Sequence, residues 1–166
     1  MLKPSTWPQW NTFVPLATIT EYPSSSSSIP AGLDLKSDVE TEEALVPETL
    51  VTFDVHMNLD TKLTNRQSIL VTRLEGLDGQ RKGFRVAWKA EGFPNFLLRS
   101  ERVQEFVEVE GEGGVACEYF CWETFYGLLA PVLRLSVGGK LEAAFGAWME
   151  GLKRFAESRA VDGVAE

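Results

Sequence analysis

The chain has 166 residues, of which 44% are hydrophobic and 24% are charged, and its net charge is -8. This length and composition predict one domain with a substantial core. The acidic balance argues against nucleic-acid binding, which needs a clustered positive surface. No apolar run approaches the roughly 20 residues that cross a bilayer. The first residues also lack the apolar region of a secretory signal, so we expect a cytoplasmic protein without an integral membrane segment.

The first predicted elements are a short helical turn and a strand. Aromatic residues and prolines crowd Trp7–Pro15, which favours a helical turn anchored by rings, and a strand is expected from Leu16 to Thr20. The following residues, about 23–46, contain five consecutive serines and then an acidic stretch. Low hydrophobicity and high charge predict a disordered insertion there, with a lid as the alternative.

Residues 51–125 predict an antiparallel meander. From Val51 to Leu59, apolar and polar residues alternate with the period of a half-buried strand. Further strands are expected at 68–74, 83–90, 97–109 and 115–125, separated by short turns. Strands that follow one another through short turns usually pair as antiparallel neighbours.

The last predicted element is a long amphipathic helix from Pro131 to Ser158. Its apolar residues recur at spacings of three and four, so they line one face. Gly138 and Gly139 are poor helix-interior residues, and we expect them either to end a short leading helix or to act as a hinge. Residues 159–166 are expected to form a flexible tail. The apolar face consists of Leu141, Ala144, Phe145, Trp148, Leu152, Phe155 and Ala156.

Four short motifs occur in a characteristic order: Trp7-Pro8-x-Trp10-Asn11, Arg85–Trp88, Glu101–Glu105, and Trp122–Phe125 followed by Gly127. With the terminal helix, they resemble the START-like superfamily, which includes polyketide cyclases and dehydratases, coenzyme Q-binding proteins and SRPBCC ligand carriers. The likeness runs from Trp7 to about Glu157, apart from the serine-rich insertion. It implies an α+β helix-grip fold over residues 1–158, in which a bent antiparallel sheet grips the C-terminal helix around an apolar tunnel.

The same resemblance implies a function. Such a tunnel would bind a lipophilic small molecule, for example a lipid, an isoprenoid or a polyketide-like compound, with no cofactor. A cyclase or dehydratase acting on a polyketide-like substrate is the second hypothesis, and a non-catalytic protein-interaction module is the third. The sequence contains no nucleophile elbow, phosphate-binding loop or zinc-protease motif, which favours binding over catalysis.

Polar residues set among large apolar ones are the candidates for the site. If Arg102 and Glu123 face inward on neighbouring strands, they would form a bidentate pair inside the tunnel. Such a pair would hold a ligand carbonyl or phenolate, or polarise a substrate for cyclisation. A structural ion pair is the alternative for both, and also for Arg85. Aromatic side chains, including two on the helix that forms one tunnel wall, are expected to complete the lining. The predicted ligand-binding residues are Trp88, Arg102, Phe106, Trp122, Glu123, Phe145 and Trp148.

The single histidine and the two cysteines are not expected to carry chemistry. His56 alternates with the apolar face of its strand, so a solvated side chain is favoured over a general base. Cys117 and Cys121 would lie roughly 13 Å apart along a strand, too far for a disulfide, and are expected to be buried free thiols. No metal site is expected, because no further ligands accompany them.

Overall fold

A computed structural model of the chain describes residues 1–24, 29–57, 64–79, 81–111 and 114–162. The fold is α+β, with a curved six-stranded antiparallel sheet and a long C-terminal helix, an arrangement consistent with a helix grip. Each strand pairs with the next along the chain. The strands are β1 (Leu16–Glu21), β2 (Leu50–Val55), β3 (Asn65–Leu77), β4 (Gly83–Ala90), β5 (Arg99–Gly111) and β6 (Gly114–Tyr126), and the helices are α1 (Lys36–Glu40) and α2 (Ala130–Asp162).

The predicted meander is confirmed, strand by strand, with shifts of a few residues at the ends. The largest difference concerns β2, which ends at Val55 rather than at Leu59. Most of the predicted turn at 60–65 lies outside the described residues. The expected helical turn at the start is a 3₁₀ helix, Pro4–Gln9, in which Trp7 is fully buried.

The inner face of the sheet, which α2 packs against, follows from the alternation of side chains along each strand. Val51 and Phe53 of β2 are buried on this face beside Val71 of β3. A register shift between Val71 and Arg73 inserts one extra residue into β3, so Leu74 returns to the inner face. The bulge therefore keeps the apolar residues of β3 on one side although their spacing changes.

Helix α2 has the predicted apolar face, but it is continuous. Ala144 and Trp148 are fully buried and Leu152 is nearly so, at spacings of four. The expectation that Gly138 and Gly139 end a leading helix is wrong, because α2 runs through them without interruption. Residues 159–162 belong to the helix rather than to a flexible tail, and 163–166 lie outside the described residues.

Helix α2 approaches the N-terminal 3₁₀ helix closely at Gly151. A Cβ atom at this position would lie 2.2 Å from the carbonyl oxygen of Trp10. The ring of Trp10 packs edge-on against that of Trp148, with centroids 5.2 Å apart. Only glycine allows the two backbones to meet at this distance.

Part of the segment expected to be a disordered insertion is packed into the core. Ala44, Leu45 and Val46 are buried, and the amide of Leu45 donates a 2.8 Å hydrogen bond to the carbonyl oxygen of Leu2. Lys3 forms ion pairs with two acidic residues of the segment, 2.7 Å to Asp38 and 3.0 Å to Glu43. Burial of the apolar residues at the end of the segment outweighs the effect of its polar composition. Residues 25–28 of the serine run lie outside the described residues.

Among the helices of the described residues, none combines the length and the apolar character needed to cross a bilayer.

Candidate functional site

An apolar cavity of about 320 Å³ opens between the sheet and the N-terminal part of the chain. Its floor is the inner face of β3, β4 and β5, and its other walls come from the first two residues and from the loop that precedes α1. No residue of α2 lines it. The lining consists of Met1, Leu2, Leu33, Leu35, Leu74, Phe84, Val86 and Phe106.

The space between the sheet and the buried part of α2 is filled by aromatic rings rather than left open. Trp7 lies at the centre of this cluster, and its ring packs edge-on against Trp148 and Phe53, with centroids 5.0 and 5.2 Å apart. Trp88 is 2% exposed and Trp148 is fully buried. Interlocked rings of this size exclude a ligand, so the cavity lies beside the tryptophan cluster and not under α2.

The loop before α1 covers the cavity where it meets β3 and β4. A Cβ atom on Gly32 would lie 3.7 Å from the ring of Phe84, and one on Gly76 would lie 3.7 Å from Pro30. The loop is joined to the N-terminal segment through the ion pairs of Lys3 with Asp38 and Glu43. Two walls of the cavity are thus held by contacts outside the sheet.

Arg102 lies on the inner face of β5 and is 4% exposed. In the sheet register it stands between Trp88 of β4 and Glu123 of β6. Its guanidinium carbon lies 4.2 Å from the ring centroid of Phe145 and 4.4 Å from that of Trp148, so two residues of α2 cover the cation.

The N–H groups at the edge of the Arg102 guanidinium are only partly used in hydrogen bonds. Its Nε donates to the sulfur of Cys121 over 3.3 Å, whereas the buried Nη2 has no hydrogen-bond partner. Although Glu123 is directly opposite in the register, the two side chains form no ion pair within 4.0 Å. Both residues face inward, which was the condition for a bidentate pair, but the two side chains do not form that pair.

A second buried polar side chain, Gln104, lies two residues along the same face of β5. Trp148 Nε1 donates to the hydroxyl of Tyr119 over 2.9 Å, and this hydroxyl donates to Gln104 Oε1 over 2.5 Å. The indole is only a donor, so the Tyr119 oxygen accepts from it and the Tyr119 proton is free to go to the Gln104 carbonyl oxygen. The Gln104 amide thus turns its oxygen to Tyr119, and its buried Nε2 is left without a partner.

Two ionisable neighbours of Arg102, Glu123 and Tyr119, have raised pKa values. Burial raises the pKa of Glu123, and the positive charge of Arg102 opposes that shift. Burial likewise raises the pKa of Tyr119, with a further contribution from Cys121. Arg102 is the cation of this polar cluster, which comprises Arg102, Gln104, Tyr119, Cys121 and Glu123.

The residues predicted to bind a ligand do not form one group in the structure. Phe106 lines the cavity, whereas Trp88 and Trp148 belong to the tryptophan cluster. Phe145 is half-buried over Arg102. Trp122 pairs with Val103, lies on the opposite face of the sheet and is 41% exposed, so it is remote from the cavity.

The two remaining candidates, Arg85 and His56, contact other polar side chains of the protein. Arg85 lies on the outer face, where it donates to Glu105 over 2.8 Å and to Glu75 over 2.9 Å, so it matches the ion-pair alternative. His56 lies just beyond β2 and contacts the hydroxyl of Thr64 over 3.2 Å.

The two cysteines are free thiols, but the expectation that both are buried is wrong for Cys117, which is exposed. Among the described residues, no three histidine, cysteine or acidic side chains come together as metal ligands would.

Sequence reasoning missed most of the cavity. Met1, Leu2, Leu33 and Leu35 carry no recognisable motif, because they become neighbours only when distant segments fold together. The signal for Gln104 was weak but present: a polar residue that shares the face of Arg102 and Phe106 in a strand with large apolar groups.

Comparison with known proteins identifies one related sequence. The chain is similar to "oxopyrrolidines biosynthesis cluster protein O" of Penicillium oxalicum, with 29% identity over 166 aligned positions that cover 92% of this chain and 75% of that protein. No protein-family model matches the chain. No solved structure matches it. The sheet and C-terminal helix implied by the START-like resemblance are present, but the expected tunnel between them is occupied by the tryptophan cluster. Membership of that superfamily stays a prediction.

Proposed function

We propose that the protein binds a lipophilic small molecule in the apolar cavity and serves a step of small-molecule biosynthesis. The observation that carries the proposal is the cavity itself, about 320 Å³, which the described residues line with apolar side chains. Its volume is at the lower end of the roughly 300–1,000 Å³ that ligand pockets occupy. The name of the Penicillium relative supports the biosynthetic part.

The lining determines what part of a ligand the cavity would take. It offers leucine, valine, methionine and phenylalanine side chains without a hydrogen-bonding group of their own, so it suits an alkyl, acyl or isoprenoid chain. A polar head group would need hydrogen-bonding partners other than the side chains of these lining residues. This restricts the proposal to molecules with an apolar tail.

Binding is tested with an uncharged probe, methyl decanoate, by isothermal titration calorimetry on the 166-residue chain. Leu33→Trp places an indole in the cavity from the loop before α1 and is expected to weaken binding at least about tenfold. Leu135→Trp is the matched control, because Leu135 is 89% exposed on α2. Absence of binding to the unmodified protein, or equal binding by both variants, would contradict the proposal.

A cyclase or dehydratase is the second candidate. The observation that favours it is the polar cluster. Arg102 and Tyr119 lie on the inner face of β5 and β6, and the inner face of β5 also forms part of the cavity floor. Groups of this kind stabilise negative charge that develops on a carbonyl oxygen. Conversion of a polyketide-like thioester by the purified protein, abolished in Arg102→Met, would establish catalysis. The apolar cavity favours both candidates over an interaction module with a solid core.

A further inference from the structure

The inner face of β5 carries two buried donors that have no acceptor. Six buried side-chain nitrogen or oxygen atoms of the described residues lack a hydrogen-bond partner, and two of them, Arg102 Nη2 and Gln104 Nε2, belong to residues two apart on one strand. Such residues lie on the same face, about 6.7 Å apart along the strand. Arg102 is 4% exposed and Gln104 is fully buried.

These donors are held in place by contacts that do not satisfy them. Phe145 and Trp148 cover the guanidinium of Arg102, and Cys121 accepts from its Nε. The hydrogen bond from Tyr119 occupies the carbonyl oxygen of Gln104 and leaves the amide nitrogen as the free end. A buried cation without a counter-ion is costly, and proteins usually pair it.

No acidic side chain of the cluster forms an ion pair with Arg102. Glu123 stands opposite it without reaching ion-pair distance, and burial raises the pKa of the Glu123 carboxyl although the charge of Arg102 opposes that shift. Glu101 and Glu105 lie one and three residues from Arg102 in the sequence, but their carboxylates belong to the outer face, where they pair with Arg73 and Arg85. The positive charge of Arg102 is therefore available to a ligand.

The donors adjoin the cavity. Val86, a cavity residue, is the register partner of Gln104 on β4, and Phe106, another cavity residue, is two positions from Gln104 on the same face of β5. Gln104 lies between the cavity floor and Arg102 along this strand. Of the two donors, Gln104 is therefore the one nearer to the cavity.

We propose that Arg102 and Gln104 form an oxyanion-binding site, and that the ligand is an acyl or alkyl chain ending in a carboxylate or in the enolate of an acidic β-dicarbonyl group. Both heads present two oxygens that share one negative charge, which the Nη2 and Nε2 donors match. The inference deepens the proposed function and rests on it, because the cavity must hold the chain. It adds the chemistry of the head group.

Three probes with the same decanoyl chain test the inference by calorimetry: decanoate, its methyl ester, and decanoyl dimedone, which is an enolate at neutral pH. Charge-assisted hydrogen bonds predict that one or both anions bind at least about tenfold more tightly than the ester. The anion with the larger preference identifies the head group. Equal preferences identify a general oxyanion site.

Two variants test whether the preference for anions over the ester depends on Arg102 and Gln104. Arg102→Met is expected to bind the anions no better than the ester and to bind the ester within about twofold of the unmodified protein. Gln104→Glu keeps the oxygen that accepts from Tyr119 but replaces the free donor with a carboxylate that neutralises Arg102, so it should lose the same preference. Arg73→Met is the charge-matched control, because Arg73 is half exposed and pairs with Glu101 on the outer face.

A stability measurement separates a binding role from a structural one. If the role of Arg102 is to bind a ligand, its unpaired buried charge lowers the stability of the ligand-free protein. Arg102→Met should then unfold at the same temperature as the unmodified protein or at a higher one. A large drop in melting temperature, or an anion preference that survives in both variants, would overturn the inference. Equal binding of anions and ester by the unmodified protein would overturn it and leave the proposed function standing, whereas no binding of any probe would overturn both.

Discussion

The close approach of α2 to the 3₁₀ helix at Gly151 gives the sharpest test of the fold. In Gly151→Ala, the new methyl group would lie 2.2 Å from the carbonyl oxygen of Trp10, which is backbone and has little freedom to move. The helix must shift by at least about 1 Å to reach ordinary contact. Trp148 and Leu152, which lie on the same face, would move with it.

Gly146→Ala is the matched control on the same helix. A Cβ atom there has no neighbouring atom within 4 Å, so this variant reports helix propensity alone and should gain about 0.5–1 kcal/mol. Gly151→Ala gains the same propensity but adds overpacking, which costs about 1–3 kcal/mol. We therefore expect the free energies of unfolding of the two variants to differ by about 1–3 kcal/mol.

Urea denaturation, followed by tryptophan fluorescence, measures both variants against the unmodified protein. Fluorescence is well suited because Trp7, Trp10 and Trp148 lie at this contact. Equal stability of the two variants, or a gain in Gly151→Ala, would show that α2 does not pack on Trp10 in this way. The placement of the tryptophan cluster, and with it the position of the cavity, would then be wrong.

Three further predictions concern the polar cluster, the helix and the cavity. Because burial raises the pKa of Glu123, the folded protein holds this proton more tightly than the unfolded chain, so stability falls as the pH rises from about 4.3 through the folded pKa. Glu123→Gln should remove that decline in denaturation curves taken across pH, and unchanged pH dependence would count against it. Gly138→Ala should raise the free energy of unfolding by about 0.5–1 kcal/mol, since α2 is continuous and the site is open; a loss of stability would argue against an uninterrupted helix. In a series of alkyl methyl esters, each added methylene should tighten binding about fourfold until the cavity is full, and affinities independent of chain length would exclude burial of the tail.

The sequence predicts the fold better than the site, for a physical reason. Strand alternation and helical spacing are local, so the order of β1–β6 and the apolar face of α2 follow from neighbouring residues. Local propensity fails at Gly138, where the helix continues despite two glycines. It also fails at Leu45, where burial of an apolar group outweighs the polar composition around it.

The faces of β6 show why the site is harder to predict. Aromatic residues occur on both sides of this strand, so alternation alone does not decide whether Trp122 or Tyr119 faces inward. Pairing with β5 decides it: Tyr119 opposes Phe106 on the inner face, whereas Trp122 opposes Val103. The cavity depends on contacts still further apart in the chain, between Met1 and the sheet, and no local pattern encodes these.

The most direct test of ligand binding in the cavity is a methyl NMR titration of the 166-residue chain with methyl decanoate, with Met, Leu and Val labelled. We expect the largest shift changes at Leu74, Val86 and Met1, which line the cavity, and small ones at Val132 and Leu135 on the exposed part of α2. Changes confined to Val132 and Leu135, or no saturable change at Leu74 and Val86, would contradict the account.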